Sequence, residues 1–347
     1  MNVQRLLIVI LLAQVLTACN TVQYYGQSIS GQLSLLWKRQ DIQELLDNNE
    51  IDEATRDKLK KVLGIRRFAS DVLLLPDNGS YTSYADLGRP YVVWNVFAAP
   101  QLSVQPKTWC FPVAGCVPYR GYFSRDEAQA YADTLKQQGY DVYVGGITAY
   151  STLGWFDDPV LNTILRQPEP QLAGLLFHEL AHQKLYIKDD ATFNESFATA
   201  VELEGVRRWL ARHQASATEF RQYEILKQRH AEFIALLQRT RSQLDMLYSG
   251  ELKTDIKLYQ KTLIFSEMHR NYESLKKTWN NDNRYDNWFK SELNNARLVT
   301  VGTYHDYVPG FQALLKQHDN DLATFFMEAE KLAQLDANTR RQRLMQN

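Results

Sequence analysis

His178-Glu179-Leu180-Ala181-His182 places two imidazoles four residues apart, with a carboxylate directly after the first. On a helix, residues four apart lie on one face, one turn from each other. Two imidazoles so placed can share one Zn²⁺, and the glutamate then stands beside the water on that ion. The chemistry this permits is hydrolysis by an activated water, with Glu179 as general base. The preceding run Gln171-Leu172-Ala173-Gly174-Leu175-Leu176-Phe177 is apolar and reads as helix. The three ionisable groups therefore fall on a largely buried segment, where they need partners, and a metal supplies one. The plain alternative, an amphipathic helix carrying two surface histidines, fits poorly with Leu175, Leu176, Phe177, Leu180 and Ala181 around them.

A catalytic zinc needs a third protein ligand and one position left for water. Downstream lies Thr192-Phe193-Asn194-Glu195-Ser196-Phe197-Ala198, with twelve residues between His182 and Glu195, room for a turn and the start of an antiparallel helix. Glu195 is the chosen ligand. Its competing role is structural, since Thr192-x-x-Glu195 is a capping box, and Thr192 or Asn194 is expected to cap. Glu202, two turns on, is the alternative ligand or an acceptor for a histidine N–H. Asp189 and Asp190 offer a rarer His-His-Asp set. A hydrolase also needs a donor for the developing oxyanion. Tyr304 and His305 are candidates, with Tyr304 preferred. Tyr150 and Ser151, after a strand, are read as an edge on which extended substrate pairs. For all four, simple packing remains the competing reading.

The N-terminus reads as an export signal. Met1–Arg5 carries one positive charge, Leu6–Leu12 is apolar, and Leu16-Thr17-Ala18-Cys19 has the form of a bacterial lipobox. The apolar core is too short for a comfortable membrane span. Cys19 is thus the expected lipidation site, the membrane a partner through that lipid, and Asn20 after it favours the outer membrane. The expected location is the bacterial cell envelope, facing the periplasm. Setting Cys19 aside leaves Cys110 and Cys116, an even pair flanking Pro112 and Gly115, and a disulfide is expected in an oxidising compartment. The formal net charge of -1 gives no broad attraction to nucleic acid.

A hydrophobic content of 45% fits a globular chain with a real core. Residues 31 to about 70 read as helices. Ser80–Tyr84 and Tyr91–Phe97 are β-branched and aromatic, hence strands. Ser124 to Gln138 returns to helix, with Ser124 as N-cap and Glu127 at the capping-box spacing. Asp141–Gly146 is a strand. From about 158 onward the pattern is helical, with a long hairpin over Thr218–Lys277 broken at Gly250 and shorter helices near 309–317 and 321–334. The polar tail from Asp336 is expected to fray. The expected division is a signal peptide over 1–18, a lipid-anchored tether over 19–30, N-terminal helices and a mixed β region over 31–160, and a helical catalytic region over 161–347.

H-E-L-A-H at 178–182 followed by N-E-S-F-A at 194–198 resembles the gluzincin metallopeptidases, in which an Asn-Glu pair on the second helix supplies the zinc-binding Glu. More broadly, the chain resembles the bacterial predicted-aminopeptidase lipoprotein family. The matching stretches are Cys110–Phe123, Ala149–Pro159, 178–205 and Leu293–Tyr304. The resemblance implies zinc at His178, His182 and Glu195, with Glu179 catalytic and peptide as substrate. The element pattern read above predicts an α+β, predominantly helical fold. That fold has a zincin-like pair of active-site helices, a small mixed β region and a long helical hairpin. The G-x-M-E-N segment by which gluzincin aminopeptidases hold a free amine is absent. The expected function is a zinc-dependent, envelope-anchored peptidase of aminopeptidase type. The alternative is a lipid-anchored periplasmic scaffold with a structural or vestigial metal site.

Overall fold

Asp41, Asp52, Ser124, Asp190, Asn294 and Asp321 each accept a hydrogen bond from a backbone amide two or three residues on, and each starts a helix. The computed structural model describes residues 24–48, 51–111, 115–149, 151–152, 156–213, 217–300 and 306–345. Cys19, Tyr150, Tyr304 and His305 lie outside them. Among the described residues helix accounts for 63% and strand for 11%, which makes the fold a predominantly helical α+β one.

The chain opens with α1 (24–37), α2 (Ile42–Asp47) and α3 (Glu53–Asp71). Short strands β1 (Gln40–Asp41), β2 (Ser83–Ala85) and β8 (Val160–Leu161) form one small sheet, with β2 antiparallel to β1 and parallel to β8. In a second sheet, β3 (Val93–Pro100) runs antiparallel between β6 (Arg120–Tyr122) and β7 (Tyr140–Ile147). Alternation along β3 sends side chains to both faces. Val96 and Ala98 pack on Ala128, Ala132 and Leu135 of α4 (Arg125–Gln137), while Phe97 and Ala99 pack on Ala296 and Val299 of α11 (Asn295–Val299). A hairpin of β4 (Trp109–Phe111) and β5 (Gly115–Val117) pairs Cys110 with Cys116, and the two are disulfide-bonded.

After the short α5 (Asn162–Leu165) come α6 (Glu169–Lys184) and α7 (Ala191–Arg212). Together with α3, α12 (Val308–Gln317) and α13 (Leu322–Ala333) they enclose the largest core, in which Phe177, Phe193, Phe197, Phe311 and Phe325 are fully buried. The helices α8 (Ala217–Ser249) and α9 (Thr254–Thr278) form the expected long hairpin, broken over 250–253. They hold a separate aromatic core in which Phe233 stacks on Tyr285 and Tyr272 on Phe289 of α10 (Asp286–Phe289).

The tail corrects the expectation of fraying. Residues Ala337–Met345 form helix α14, with Arg340 and Leu344 buried. The Arg340 guanidinium binds the Asp190 carboxylate at 2.7 and 3.0 Å, and Leu344 joins the main core. A long-range ion pair and one apolar anchor hold what composition alone marks as loose.

Candidate metal centre

Helix α6 buries Leu172, Leu176, Phe177, Leu180 and Ala181, which fixes its rotation and leaves His178 and His182 on the side facing α7. Its partner helix starts differently from the expectation. The cap of α7 is Asp190, which accepts from the Phe193 amide at 3.1 Å. Thr192 lies inside the first turn. Asn194 instead clasps the connecting loop, accepting from the Ile187 amide at 2.8 Å and donating to the Ile187 carbonyl at 2.7 Å. Asp190 prevails as cap because its second oxygen is free to take Arg340, which ties the helix start to α14. The first turn so fixed aims Glu195 back at α6.

His178, His182 and Glu195 converge, with one ligand atom from each within 4.8 Å of the others. The His178 and His182 Nε2 atoms are 3.1 Å apart. Glu195 Oε2 lies 3.3 Å from His178 Nε2, and Oε1 lies 3.5 Å from His182 Nε2. A tetrahedron with arms of about 2.0–2.2 Å has edges of roughly 3.3–3.6 Å, and the three separations lie within about 0.2 Å of that range, two inside it and the His178–His182 one just short of it, close to those of donors round one small ion. Two ring nitrogens facing each other at this range need a proton or a cation between them. The donor set of two nitrogens and a carboxylate fits Zn²⁺ and leaves a position open.

Behind the triad, His178 Nδ1 sits 3.3 Å from Glu202 Oε2. Glu202 also accepts from the Tyr223 hydroxyl at 2.8 Å and from the Lys227 ammonium. A carboxylate behind a histidine fixes the ring and its tautomer, the usual support of a metal ligand. The electrostatics follow. Burial disfavours a charged His178, but hydrogen bonds to Glu195 and Glu202 outweigh it and raise its pKa. Burial and the charge on His178 push His182 down to about 4. Burial would raise Glu202, yet His178 and Lys227 hold it well below the ordinary carboxylate range.

Glu179 faces a second network. Burial raises its pKa, His178 opposes that, the neighbouring Glu195 and Asp158 charges add to the rise, and a hydrogen bond from Ser151 opposes it. The Ser151 hydroxyl also contacts Tyr81 and lies 3.3 Å from Asp158 Oδ2. Asp158, buried, accepts from the Thr152 amide at 2.8 Å and hydroxyl at 2.9 Å, pinning residues 151–152 beside Glu179. Tyr81 adopts φ 64°, a region costly for a bulky residue, and its amide donates to the Asp158 carbonyl at 2.7 Å.

The structure thus brings together His178, Glu179, His182 and Glu195, and sets Ser151 against Glu179. Sequence reasoning missed Tyr81, Asp158, Tyr223 and Lys227. Asp158 falls within the Ala149–Pro159 block that carries the resemblance, which was the available signal for it; the other three have none. A cavity of about 820 Å³ opens beside the triad, lined by His178, Glu179, Glu202, Leu203, Ile234 and Pro309 among others. No curated protein and no solved structure matches the chain. A family model described as "Putative aminopeptidase" matches residues 23–344.

Proposed function

The chain belongs to that family, and from this premise we propose that it is a zinc-dependent peptidase of the cell envelope, with His178, His182 and Glu195 as metal ligands. The observation that carries the reading is the set of donor separations, 3.1, 3.3 and 3.5 Å, with a carboxylate behind the first histidine. Zn²⁺ held there would acidify a water and polarise a scissile carbonyl. Glu179 takes the proton of the attacking water and passes it to the leaving amine, and its raised pKa suits a group that must hold a proton and release it. Ser151 keeps that carboxylate in place. Tyr304 is assigned the oxyanion and Tyr150 a substrate contact on sequence grounds. Leu203, Ile234 and Pro309 give the cavity an apolar wall suited to side chains of a peptide. Aminopeptidase specificity is proposed from the family. Anchoring through Cys19 in the outer membrane is proposed from the lipobox, and the Cys110–Cys116 bridge supports an oxidising compartment.

The test joins metal analysis to hydrolysis of mixed peptides. Wild type should carry one zinc per chain, and Glu179→Gln should keep the metal while losing about 10²–10⁴-fold in kcat. Equal turnover by both proteins refutes the mechanism. N-acetylated peptides should be cleaved more slowly than free ones, and the reverse preference removes the aminopeptidase assignment.

A further inference from the structure

We infer that one face of α1 lies on a phospholipid surface. Tyr25, Ile29, Leu33 and Trp37 are spaced four residues apart and are 37%, 60%, 42% and 83% exposed. Spacing of four on a helix builds one continuous stripe. Between these side chains stand only Gly26, Ser30 and Ser34, also exposed.

The stripe cannot turn inward, because the opposite face of α1 is docked. Leu35 is buried with Ala85, Val92 and Leu161. Gly31 lies against the Phe123 ring so closely that an added Cβ would meet it at 2.2 Å. Gln27 accepts from the Phe123 amide at 3.0 Å. The exposed side is therefore a fixed feature of the molecular surface.

Its chemistry fits a bilayer. Residues 24–40 contain no Asp or Glu, and Lys38 and Arg39 stand at the end of the stripe, where anionic headgroups would meet them. Tyr25 and Trp37 bracket the apolar pair, the residue types that settle at the headgroup boundary. Among the described residues no helix is long and apolar enough to cross a membrane, so contact is along the surface. The chain before α1 points the same way. Tyr25 stands six positions after Cys19, a span of at most about 22 Å when fully extended, so a lipid at Cys19 would hold the stripe within reach of the headgroups. That last step rests on the Cys19 assignment; the face itself does not.

The experiment uses the mature chain from Asn20 onward, which lacks both the apolar signal run and the lipid site, with Ser30→Cys carrying an environment-sensitive fluorophore. The probe surface is a vesicle of phosphatidylcholine with phosphatidylglycerol, with and without nitroxide-bearing lipid. Emission from position 30 should shift to the blue and be quenched by the nitroxide, while the same label at exposed Gln129 of α4 should do neither. Replacing Ile29, Leu33 and Trp37 by Ser should weaken vesicle binding about tenfold or more. A water-like emission at position 30 on bound vesicles overturns the inference. So does a blue shift without vesicles that grows with protein concentration, which assigns the face to a second copy of the chain. Neither readout involves peptide hydrolysis, so failure here leaves the peptidase reading to its own test.

Discussion

His178 carries more of the site than its place in the motif suggests, because both ring nitrogens are committed. One faces the other ligands, and the other faces Glu202, itself held by Tyr223 and Lys227. Glu202→Gln should therefore weaken zinc about 10- to 100-fold, read by competition with a chelator; unchanged affinity would show that Glu202 only fills space. Ser151 acts on the other side, where its hydroxyl touches the Glu179 carboxylate. Ser151→Ala should lower kcat about 10- to 100-fold with KM unchanged, and Ser151→Thr should restore most of it. A loss shared equally between the two variants, or confined to KM, would mark Ser151 as a substrate contact or a packing residue. These residues differ in how legible they are. His178, Glu179 and His182 are a local pattern, and Glu195 lies across one turn. Tyr81 meets Ser151 and Asp158 beside the parallel pairing of β2 with β8, whose partners are more than seventy positions apart. No periodicity in the chain announces that contact.

At the scale of elements, the pair α6 and α7 sets the metal site, and their spacing depends on small residues. His182 faces Glu195 and His178 faces Glu202, so the helices run antiparallel. A Cβ on Gly205 would meet the Phe177 ring at 2.6 Å and Leu73 at 2.8 Å, all in the buried core. Gly205→Ala should thus cost about 1–3 kcal/mol. At exposed Gly64 of α3, the nearest atom is the Trp209 ring at 3.6 Å, ordinary contact. Gly64→Ala should instead stabilise by about 0.5–1 kcal/mol, since glycine is a poor helix former. Thermal unfolding of the two variants reads the opposite signs directly, and equal shifts would mean the helices can move apart. Most helices were legible in outline from apolar spacing and caps: Ser124 starts α4 and Asp52 precedes α3. The cap of α7 and the order in α14 were not, because both depend on the Arg340–Asp190 pair, 150 positions apart.

At the scale of the whole molecule, the mixed β region and the helical hairpin meet at one buried polar joint. Lys261 of α9 donates to Asp141 of β7 at 2.5 Å and to the Gln101 carbonyl at 2.9 Å. Asp141 also accepts from the Asn295 amide at 2.9 Å, and the Asn295 side chain donates to the Pro100 and Gln101 carbonyls at 3.0 Å each. The Lys261 and Asp141 side chains are only 10% and 11% exposed. A buried ion pair adds little over an apolar pair of the same shape, but breaking it leaves a buried charge without its counter-ion. Lys261→Met should therefore cost about 3–5 kcal/mol. The double variant Lys261→Met, Asp141→Leu should recover part of that, short of wild type because the Asn295 amide loses its acceptor. Chemical denaturation of the four proteins of this cycle measures the coupling. If the double variant is as damaged as the sum of the single ones, the pair is not what joins the two regions, and the apolar contacts of Phe97, Ala99, Ala296 and Val299 must hold them instead.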